Sequence, residues 1–337
     1  MTVAVVILNW NGRKFLADFF PKVVEHSTHA AQIIVADNAS TDDSVEFLED
    51  NFPSIRVIRH DKNNGFAKGY NDALKNIDAE YYVLLNSDVE VTESWIGPVI
   101  QMMNENKNIG ACQPKIKNYF NKKQFEYAGA AGGFIDTYGY PYCRGRIFNS
   151  IEEDAGQYDT TAEIFWATGA CMFVRASVFH ALGGFDEEFF AHMEEIDLCW
   201  RIKNAGYTIM FCPYSTVFHI GGGTLPKESP QKTYLNFRNS LLMLHKSAPT
   251  SRLFQIFIFR LVLDGIAGFI FLLTGRLGDC IAVVKGHVYF YSHYTRLRKK
   301  REEQQEKIRN RNTSCIYRGS IVFDYFLRGK KRFSEVK

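Results

Sequence analysis

The sequence predicts an α/β fold whose amino-terminal half is a doubly wound sheet. Runs of apolar, mostly β-branched residues occur at 3–8, 33–36, 55–58 and 81–85, and helical patterns fill the intervals between them. Uninterrupted apolar runs of this length are typical of parallel strands covered on both faces. Each of the four runs is followed by short polar residues, at the edge where such sheets bind ligands.

Three amphipathic helices are expected between these strands. The first carries apolar pairs every four residues between 15 and 24 and contains Pro21, which is expected to kink it. The second, at 45–52, has Ser40 or Thr41 as its expected cap. The third covers residues 66–77.

The polar residues at the four strand ends are Asn9-Trp10-Asn11-Gly12, Asp37-Asn38-Ala39-Ser40, Asn63-Asn64-Gly65 and Asn86-Ser87-Asp88. Turn formation alone explains any one of them. Four in succession favour a binding crevice, because the carboxyl ends of parallel strands meet at one edge of a sheet. The chain has no GxGxxG after its first strand and no GxxxxGK(S/T), which argues against dinucleotide and P-loop sites.

Composition excludes other classes of protein. A net charge of +3 over 337 residues is too small for a nucleic-acid-binding surface. Seven cysteines without a CxxC pair indicate reduced thiols in the cytoplasm rather than a zinc site or a disulfide framework. Between residues 118 and 165, glycines alternate with aromatic residues. This stretch predicts either a loop-rich surface for a sugar-like acceptor or an excursion packed by its own rings.

The segment at 184–201, called the acidic segment below, combines six carboxylates with large apolar side chains such as Phe189 and Trp200. A carboxylate held away from water binds its proton more tightly. That property is the one a general base needs near neutral pH. The acidic segment therefore predicts an enzyme.

Residues 253–273 are strongly apolar apart from one glutamine and two charges, Arg260 and Asp264. Two charges disfavour a simple membrane-spanning helix. A segment lying in the membrane interface is therefore favoured over a spanning or re-entrant hairpin and over a soluble helical packing unit. Basic residues at 296–301 suit an anionic cytoplasmic leaflet. The alternative for that run is a solvated helix, paired with the glutamates at 302–306.

Four motifs resemble, in order and spacing, those of family-2 glycosyltransferases, in particular the rhamnosyltransferase-like bacterial group. They are Asp37-Asn38-Ala39-Ser40-Thr41-Asp42, Asn64-Gly65-Phe66-Ala67-Lys68-Gly69-Tyr70-Asn71, Asn86-Ser87-Asp88 and the acidic segment. The resemblance covers residues 3–245. It implies a GT-A fold with a mixed central sheet, a nucleoside-diphosphate sugar donor linked to UDP or dTDP, Mn²⁺ or Mg²⁺ as cofactor, and inversion at the anomeric carbon.

The resemblance also implies a donor site, with Asp37 at the nucleobase and Trp166 near the donor sugar. The remaining residues implied for this site are Leu8, Asn9, Asn11, Asn64, Gly65, Asn71, Asn86, Ser87, Gly169 and Ala170.

Asp88 and His219 are implied as ligands of the metal ion. Asn86 stands where the family usually has the first carboxylate of D-x-D, which leaves one carboxylate fewer. A nitrogen ligand is better tolerated by Mn²⁺ than by Mg²⁺. From the residues alone, a histidine before the glycines at 221–223 is equally typical of a structural position.

The catalytic base is implied at Glu195, the second residue of a pair that is commonly Glu-Asp in the family. Helical spacing supports this assignment, because Glu195 shares a face with apolar residues such as Leu198. Glu194 and Asp197 are the alternatives. The same spacing predicts that both form a structural ion-pair group with Arg201.

We therefore expect a GT-A domain at 1–245, with a nucleotide-sugar half at 1–115 and an acceptor half at 116–245, and a helical membrane-associating region at 246–337. The expected enzyme transfers a hexosyl or deoxyhexosyl unit to a hydroxyl of a lipid-linked oligosaccharide in cell-surface polysaccharide assembly (O-antigen or capsule), on the inner face of the cell membrane. The alternatives are a nucleotide-sugar-binding protein without turnover and a sugar nucleotidyltransferase.

Overall fold

The computed structural model of the chain describes residues 2–221, 229–308 and 310–336. The strands are β1 (Val3–Asn9), β2 (Gln32–Asp37), β3 (Arg56–Arg59), β4 (Tyr81–Asn86), β5 (Val89–Val91), β6 (Ile109–Asn118), β7 (Gly133–Asp136), β8 (Pro141–Cys143), β9 (Arg146–Ile147), β10 (Ser150–Ile151), β11 (Ala162–Glu163), β12 (Cys171–Arg175), β13 (Thr208–His219) and β14 (Ile316–Tyr317). The helices are α1 (Arg13–Ser27), α2 (Ser44–Asn51), α3 (Gly65–Leu74), α4 (Gly97–Glu105), α5 (Ala176–Ala181), α6 (Glu194–Asn204), α7 (Pro230–Ser247), α8 (Thr250–Leu273), α9 (Leu277–Ser292), α10 (Tyr294–Glu306) and α11 (Ile321–Phe326). Short 3₁₀ helices occupy Glu187–Phe189 and Phe333–Glu335.

A mixed sheet of nine strands forms the centre of the molecule, in the order β11-β13-β6-β12-β4-β1-β2-β3, with β5 paired to the carboxyl end of β13. Strands β4, β1, β2 and β3 run parallel. Strand β12 runs antiparallel between β4 and β6. The four predicted strands of the amino-terminal half are confirmed, and the sheet is mixed as expected.

Alternate side chains of each parallel strand point to opposite faces of the sheet. Val6 and Leu84 belong to one apolar cluster, whereas Val5 and Val83 belong to a second cluster. All four side chains are completely buried. Helices therefore cover both faces, which explains why these strands read as continuous apolar runs rather than alternating ones.

The expected cap of the second helix was wrong. Helix α2 begins at Ser44 with Asp43 at its N-cap position, and no side chain caps it. Ser40 instead donates its backbone N–H to Asp37 Oδ2 at 2.9 Å. The hydroxyl residues after β2 thus shape the strand end rather than start the helix. Pro21 lies within the single helix α1.

The glycine-rich and aromatic-rich stretch contains more regular structure than its sequence suggests. Strands β7 to β10 form a second sheet together with β14. Its rings pack on one another and on the carboxyl-terminal segment; the ring centroid of Phe134 lies 5.9 Å from that of Tyr142 and 4.8 Å from that of Phe333. This arrangement favours the interpretation in which the excursion is packed by its own aromatic side chains.

Helices α8 and α9 form a hairpin beside α7. Helix α8 has the length and hydropathy of a membrane-spanning helix, the one such helix among the described residues, and 22% of its most apolar window is buried. Its two charges point inward: Arg260 Nη2 lies 3.1 Å from Asp264 Oδ2, and Tyr140 and His287 also bond to Asp264. The outward face of the hairpin is left without these charges.

Candidate active site

The ends of three neighbouring parallel strands bring predicted donor residues together. In the register of the sheet, Asn9 on β1 lies beside Asp37 on β2. Leu8 on β1 lies beside Asn86 on β4. Asp88 follows Asn86 by two residues. The expected convergence of the strand ends is therefore present in the fold.

A hydrogen-bond network fixes the carboxylate of Asp37 at this edge. Asn9 Nδ2 donates to Asp37 Oδ1 at 3.1 Å. Asn11, whose φ of 50° lies in the left-handed region, donates its backbone N–H to Ser40 Oγ at 2.9 Å and accepts at Oδ1 from the N–H of Thr41 at 2.7 Å. Asn9 and Asp37 are buried, whereas Asn11 is exposed. The network therefore presents Asn11 at the surface of the crevice.

Asn38 ties the start of α3 to the same edge. Its Oδ1 accepts from the N–H of Asn64 and its Nδ2 donates to the carbonyl of Gly65, both at 3.1 Å. Gly65 has a φ of +76°, and a Cβ there would lie 2.6 Å from the ring of Phe190. The carbonyl of Phe190 accepts from the N–H of Phe66 at 2.7 Å. Because a side chain at position 65 does not fit, glycine allows the acidic segment to reach the donor edge.

Asn71 provides a second link between α3 and the acidic segment. Its Nδ2 donates to the carbonyl of Phe185 and its Oδ1 accepts from the N–H of the same residue, both at 2.9 Å. Its Nδ2 also lies 3.3 Å from Glu187 Oε1. Asn71 is only 8% exposed, so its amide group is directed at the acidic segment.

Residues 166–170 connect the donor edge to α6. The N–H of Asn86 donates to the carbonyl of Ala170 at 3.0 Å. The N–H of Ala167 donates to Cys199 Sγ at 3.4 Å. Cys199 lies one helical turn after Glu195, on the same side of α6. The strand end that carries Asp88 and the helix that carries Glu195 are thus joined by one short segment.

Other residues predicted for the donor site also lie around this segment. Trp166 is 3% exposed, and its Nε1 donates to the carbonyl of Phe134 at 2.9 Å. Gly169 packs against Phe66, whose ring would lie 3.0 Å from a Cβ at that position. Ser87 is half-buried beside the strand end. Since the indole N–H of Trp166 is occupied, only the ring of that residue remains available to a ligand.

Asp88 and His219, the two predicted metal ligands, are adjacent. His219 Nε2 lies 3.1 Å from Asp88 Oδ1, and both residues are buried. On the other side of the ring, Nδ1 lies 3.3 Å from Glu126 Oε2. Burial disfavours the imidazolium, but the carboxylates of Asp88 and Glu126 outweigh it and raise the pKa of His219 to about 10.

The donor atoms at this site fit a divalent cation that also binds a diphosphate. Nowhere in 2–221, 229–308 and 310–336 do three or more His, Cys, Asp or Glu side chains converge as metal ligands. A cation held by Asp88 and His219 would therefore complete its coordination with ligand oxygens, as Mg²⁺ commonly does with substrate phosphates. It would take the place of the proton on the imidazole. Glu126 would orient the ring from the second nitrogen. Gly222 and Gly223 lie outside the described residues.

Glu195 lies in the first turn of α6. Its side chain is half-buried, and its Oε2 is buried without a hydrogen-bond partner among the described residues. Burial raises the pKa of Glu195 to about 7, although backbone N–H groups at the helix start oppose the shift. The carboxylate is therefore poised to accept a proton near neutral pH.

Glu194 does not join the predicted ion-pair group, so that part of the expectation was wrong. Asp197 and Arg201 do pair, at 2.9 Å, and Lys246 reaches the other oxygen of Asp197 at 2.6 Å. Glu194 is 4% exposed and forms no ion pair with the described residues. Burial, followed by repulsion from Glu195, raises its pKa well above the usual value. The helix starts at Glu194, so its side chain is turned into the protein rather than along the Asp197 face.

The backbone before α6 is strained. Phe190, His192 and Met193 have φ values of 63°, 68° and 72°, and each such conformation costs about 1–3 kcal/mol for a residue other than glycine. Asn239 on α7 holds this loop: its Nδ2 donates to the carbonyls of Phe189, Ala191 and His192 at 2.9, 2.8 and 2.7 Å. The neighbouring Arg238 donates to the carbonyls of Glu188 and Phe189 at 2.9 and 3.0 Å.

The family is decided by comparison with known proteins. A sequence profile described as "Glycosyl transferase family 2" matches residues 4–183 of this chain. The chain belongs to glycosyl transferase family 2. It is therefore a glycosyltransferase, as the resemblance implied.

Curated relatives of this glycosyltransferase include rhamnosyltransferases. The chain is 23% identical over 231 residues to the N-acetylglucosaminyl-diphospho-decaprenol L-rhamnosyltransferase of Mycobacterium tuberculosis (strain ATCC 25618 / H37Rv), covering 64% of this chain and 75% of the relative. It is 22% identical over 262 residues to the dTDP-rhamnosyl transferase RfbF of Shigella flexneri, covering 73% of this chain and 80% of the relative.

Solved structures show that the glycosyltransferase has a GT-A-type fold. Residues 1–349 of S. aureus TarS in complex with UDP-GlcNAc superpose with a TM-score of 0.57 at 14% identity, over 91% of this chain and 88% of that one. The mannosyltransferase PcManGT from Pyrobaculum calidifontis in complex with GDP-Man and Mn²⁺ gives a TM-score of 0.52 at 15% identity, over 91% and 84%. The expected fold class is confirmed.

Several residues of this candidate site were not predicted from the sequence. Glu126 lies in an irregular stretch between strands, where no strand-end rule identifies it. Arg238 and Asn239 lie more than two turns into α7, about 50 residues from the carbonyls they bind. The sequence held one indication of their role: Arg238 and Asn239 are consecutive polar residues on an otherwise apolar helix face, and buried polar groups need hydrogen-bond partners.

Proposed function

We propose that this family-2 glycosyltransferase is an inverting, metal-dependent enzyme that transfers a sugar from a UDP- or dTDP-linked donor to an acceptor hydroxyl, with Glu195 as the general base. The observation that carries the proposal is the pKa of about 7 at Glu195, together with its unpaired, buried Oε2. An acceptor hydroxyl is a hydrogen-bond donor that satisfies this oxygen. Glu194 is only 4% exposed, and burial followed by repulsion from Glu195 raises its pKa well above the usual value.

The proposed reaction is a single displacement. Glu195 takes the proton of the acceptor hydroxyl while that oxygen attacks the anomeric carbon from the face opposite the diphosphate. The bond from the anomeric carbon to the diphosphate oxygen breaks, and the nucleoside diphosphate leaves with the electron pair. A cation at Asp88 and His219 would supply positive charge to that leaving group. Asp37 and Asn11 are proposed to hold the nucleoside.

We also propose that the acceptor is lipid-linked and belongs to glycan assembly at the cytoplasmic face of the cell membrane. The mycobacterial relative, an N-acetylglucosaminyl-diphospho-decaprenol L-rhamnosyltransferase, supports a lipid-linked acceptor, and the Shigella relative, a dTDP-rhamnosyl transferase, supports a dTDP-sugar donor. On the hairpin of α8 and α9, large apolar residues are about half exposed, as in Ile266 (51%), Phe269 (58%) and Val284 (57%). An apolar face of this kind, freed of its charges, suits the interface of a bilayer.

The basic run at 296–301 is mostly committed within the protein. Arg296 and Lys300 pair with Glu188 of the acidic segment, and Arg301 donates to the carbonyl of His245. Arg298 pairs with Glu302 at 2.9 Å, four residues on, as the solvated-helix interpretation predicts. The proposed membrane contact therefore rests on the apolar hairpin face, with little contribution from these charges.

Substitution of the two neighbouring glutamates tests the assignment of the base. Glu195→Gln should bind donor nucleotide as the wild type does, measured by calorimetry with UDP and dTDP, yet lose transfer by about 100-fold or more. Glu194→Gln is the matched control, because the neighbouring carboxyl is buried away from the acceptor and an amide keeps its size; its transfer should fall by less than about threefold. Normal turnover by Glu195→Gln with a panel of UDP- and dTDP-sugars and Mn²⁺ would refute the assignment.

Flotation with vesicles tests the proposed membrane contact. The wild type should float with phosphatidylglycerol vesicles, whereas the double variant Ile266→Asp, Phe269→Asp should not. The two added charges oppose insertion of the apolar face into the bilayer. Lys299→Ala, at an exposed position, is the control and should float as the wild type does. Recovery of the wild type free of vesicles in low salt would count against the contact.

A further inference from the structure

A groove runs between α7 and α9 next to the acidic segment. It has a volume of about 500 Å³, within the range of about 300–1,000 Å³ that is usual for ligand pockets. Close approach of the two helices shapes it: a Cβ on Gly278 would lie 2.8 Å from Pro230, and one on Gly286 would lie 3.1 Å from the backbone nitrogen of Arg238. None of the residues proposed for the donor site lines it.

The two ends of this groove differ in chemistry. Towards the tip of the helical hairpin its walls are mostly apolar, with Pro230, Ile281 and Ala282 beside one amide side chain, Gln231. Towards the acidic segment its lining residues are Lys285, Tyr289, Ser292 and His293. Lys285 is exposed and forms no ion pair among the described residues. The groove therefore fits a ligand with an apolar tail and an anionic head.

The polar end touches the backbone that leads to the catalytic base. Tyr289 lines the groove, and its hydroxyl donates to Glu188 Oε1 at 3.1 Å. The guanidinium of Arg238 lies 5.2 Å from the Tyr289 ring and 5.4 Å from the ring of Tyr234, which also lines the groove. The same guanidinium bonds to the carbonyls of Glu188 and Phe189. An anionic head at this end would lie beside the acidic segment.

The apolar end is continuous with the exposed face of the hairpin. Ile281 lines the groove at this end and is 44% exposed, on the same helix as the exposed Val284. A hydrocarbon tail could pass from a bilayer under the hairpin into this end of the groove along Ile281. A soluble anion would gain nothing from the apolar end. These features point to a lipid that carries a phosphate-type head.

We propose that the groove between α7 and α9 binds the isoprenoid diphosphate portion of the acceptor, with the tail along Pro230 and Ile281 and the diphosphate at Lys285 and Ser292. This proposal rests on the proposed function, because it assigns a site to the lipid of the lipid-linked acceptor. The site orients the acceptor sugar toward the acidic segment, and its residues take no part in binding the donor.

Binding of farnesyl diphosphate, a soluble isoprenoid diphosphate, tests the groove by calorimetry on the full chain. Lys285→Glu and Ile281→Glu, both at exposed positions, should each weaken binding by at least about tenfold, since they remove the cation or put a carboxylate beside the tail. Val284→Glu, one turn away and outside the groove, is the matched control and should change binding by less than about twofold. Equal affinity in the wild type and both groove variants, or no binding to the wild type, would overturn the proposal.

Two further measurements separate this site from the membrane surface and from the donor reaction. Inorganic pyrophosphate should bind at least about tenfold more weakly than farnesyl diphosphate; equal binding would mean a plain anion site and refute the lipid assignment. Flotation with phosphatidylglycerol vesicles should be weakened by Val284→Glu and Ile281→Glu alike, whereas of these two variants only Ile281→Glu affects farnesyl diphosphate binding. Calorimetry with UDP and dTDP should be unchanged in both groove variants. If Glu195 were not the base, farnesyl diphosphate would still bind the groove. A failure of the proposed function can therefore be distinguished from a failure of the proposed lipid site.

Discussion

The side-chain amide of Asn239 and the backbone carbonyl of His192 are joined by a hydrogen bond of 2.7 Å. The same amide holds the carbonyl of Ala191, so one side chain on α7 fixes the left-handed backbone that enters α6. Glu195 lies in the first turn of that helix. The position of the proposed base therefore depends on a residue that does not itself carry chemistry.

Asn239→Ala should lower kcat by about 100-fold with little change in the KM for the donor, because a base displaced by about 1 Å loses its near-attack geometry. Unfolding should become easier by about 1–3 kcal/mol as the carbonyls lose their donor. Asn236→Ala, on the same helix and without a side-chain hydrogen bond among the described residues, is the control. If both variants kept wild-type kcat in steady-state kinetics at pH 8, Asn239 would have no role in positioning Glu195.

The pH dependence of transfer should follow the ionisation of Glu195. Its pKa is raised to about 7 by burial, so kcat/KM should fall about tenfold per pH unit below that value and level off above it. Cys199, one turn away, has a pKa raised to about 12 by burial, so its thiol does not titrate in this window. Rates of Glu195→Gln should lack this limb. A wild-type profile flat from pH 5.5 to pH 8.5, roughly the range that brackets the expected pKa, would contradict the prediction.

The raised pKa of Glu195 also makes the stability of the fold depend on pH, but in the opposite direction to activity. Because the folded-state pKa lies above the usual value of 4.5, the folded protein binds the proton more tightly than the unfolded chain does. This contribution to folding is complete below pH 4.5 and is lost as the pH rises through about 7. The active form of Glu195 is thus its less stable form, as expected of a site where function opposes stability.

The sequence was sufficient for the parallel half of the sheet and for the meeting of its strand ends. Continuous apolar runs and turn residues depend on local periodicity, which is why Asp37 and Asp88 were found at the strand ends. The sequence did not predict the position of the Glu194 side chain. Helical spacing predicts which residues share a face only within a helix, and Glu194 is the first residue of α6. The ion pairs of Arg296 and Lys300 with Glu188 span more than 100 residues, and no local pattern encodes a contact of that separation.

Removal of divalent cations should abolish transfer, and Mn²⁺ or Mg²⁺ should restore it. Asp88→Asn removes the carboxylate of the proposed metal site and leaves the imidazole of His219. Mn²⁺ should therefore bind at least about tenfold more weakly in the presence of UDP. Electron paramagnetic resonance of free Mn²⁺ measures this without reference to activity. Glu93→Gln, an exposed carboxylate nearby in sequence, is the control. Full activity in EDTA would rule out a metal requirement.

Arg260→Leu should destabilise the protein by about 3–5 kcal/mol, because it leaves the buried carboxylate of Asp264 without its guanidinium partner. Asp264 is fully buried, and despite this burial the Arg260 charge holds its pKa below the usual value. Arg252→Leu, at an exposed position of the same helix, should change stability by less than about 0.5 kcal/mol. Urea unfolding of both variants in detergent measures the difference. If Arg260→Leu unfolded at the wild-type urea concentration, the inward charges would not be what holds α8 to α7, and the apolar outer face would need another origin.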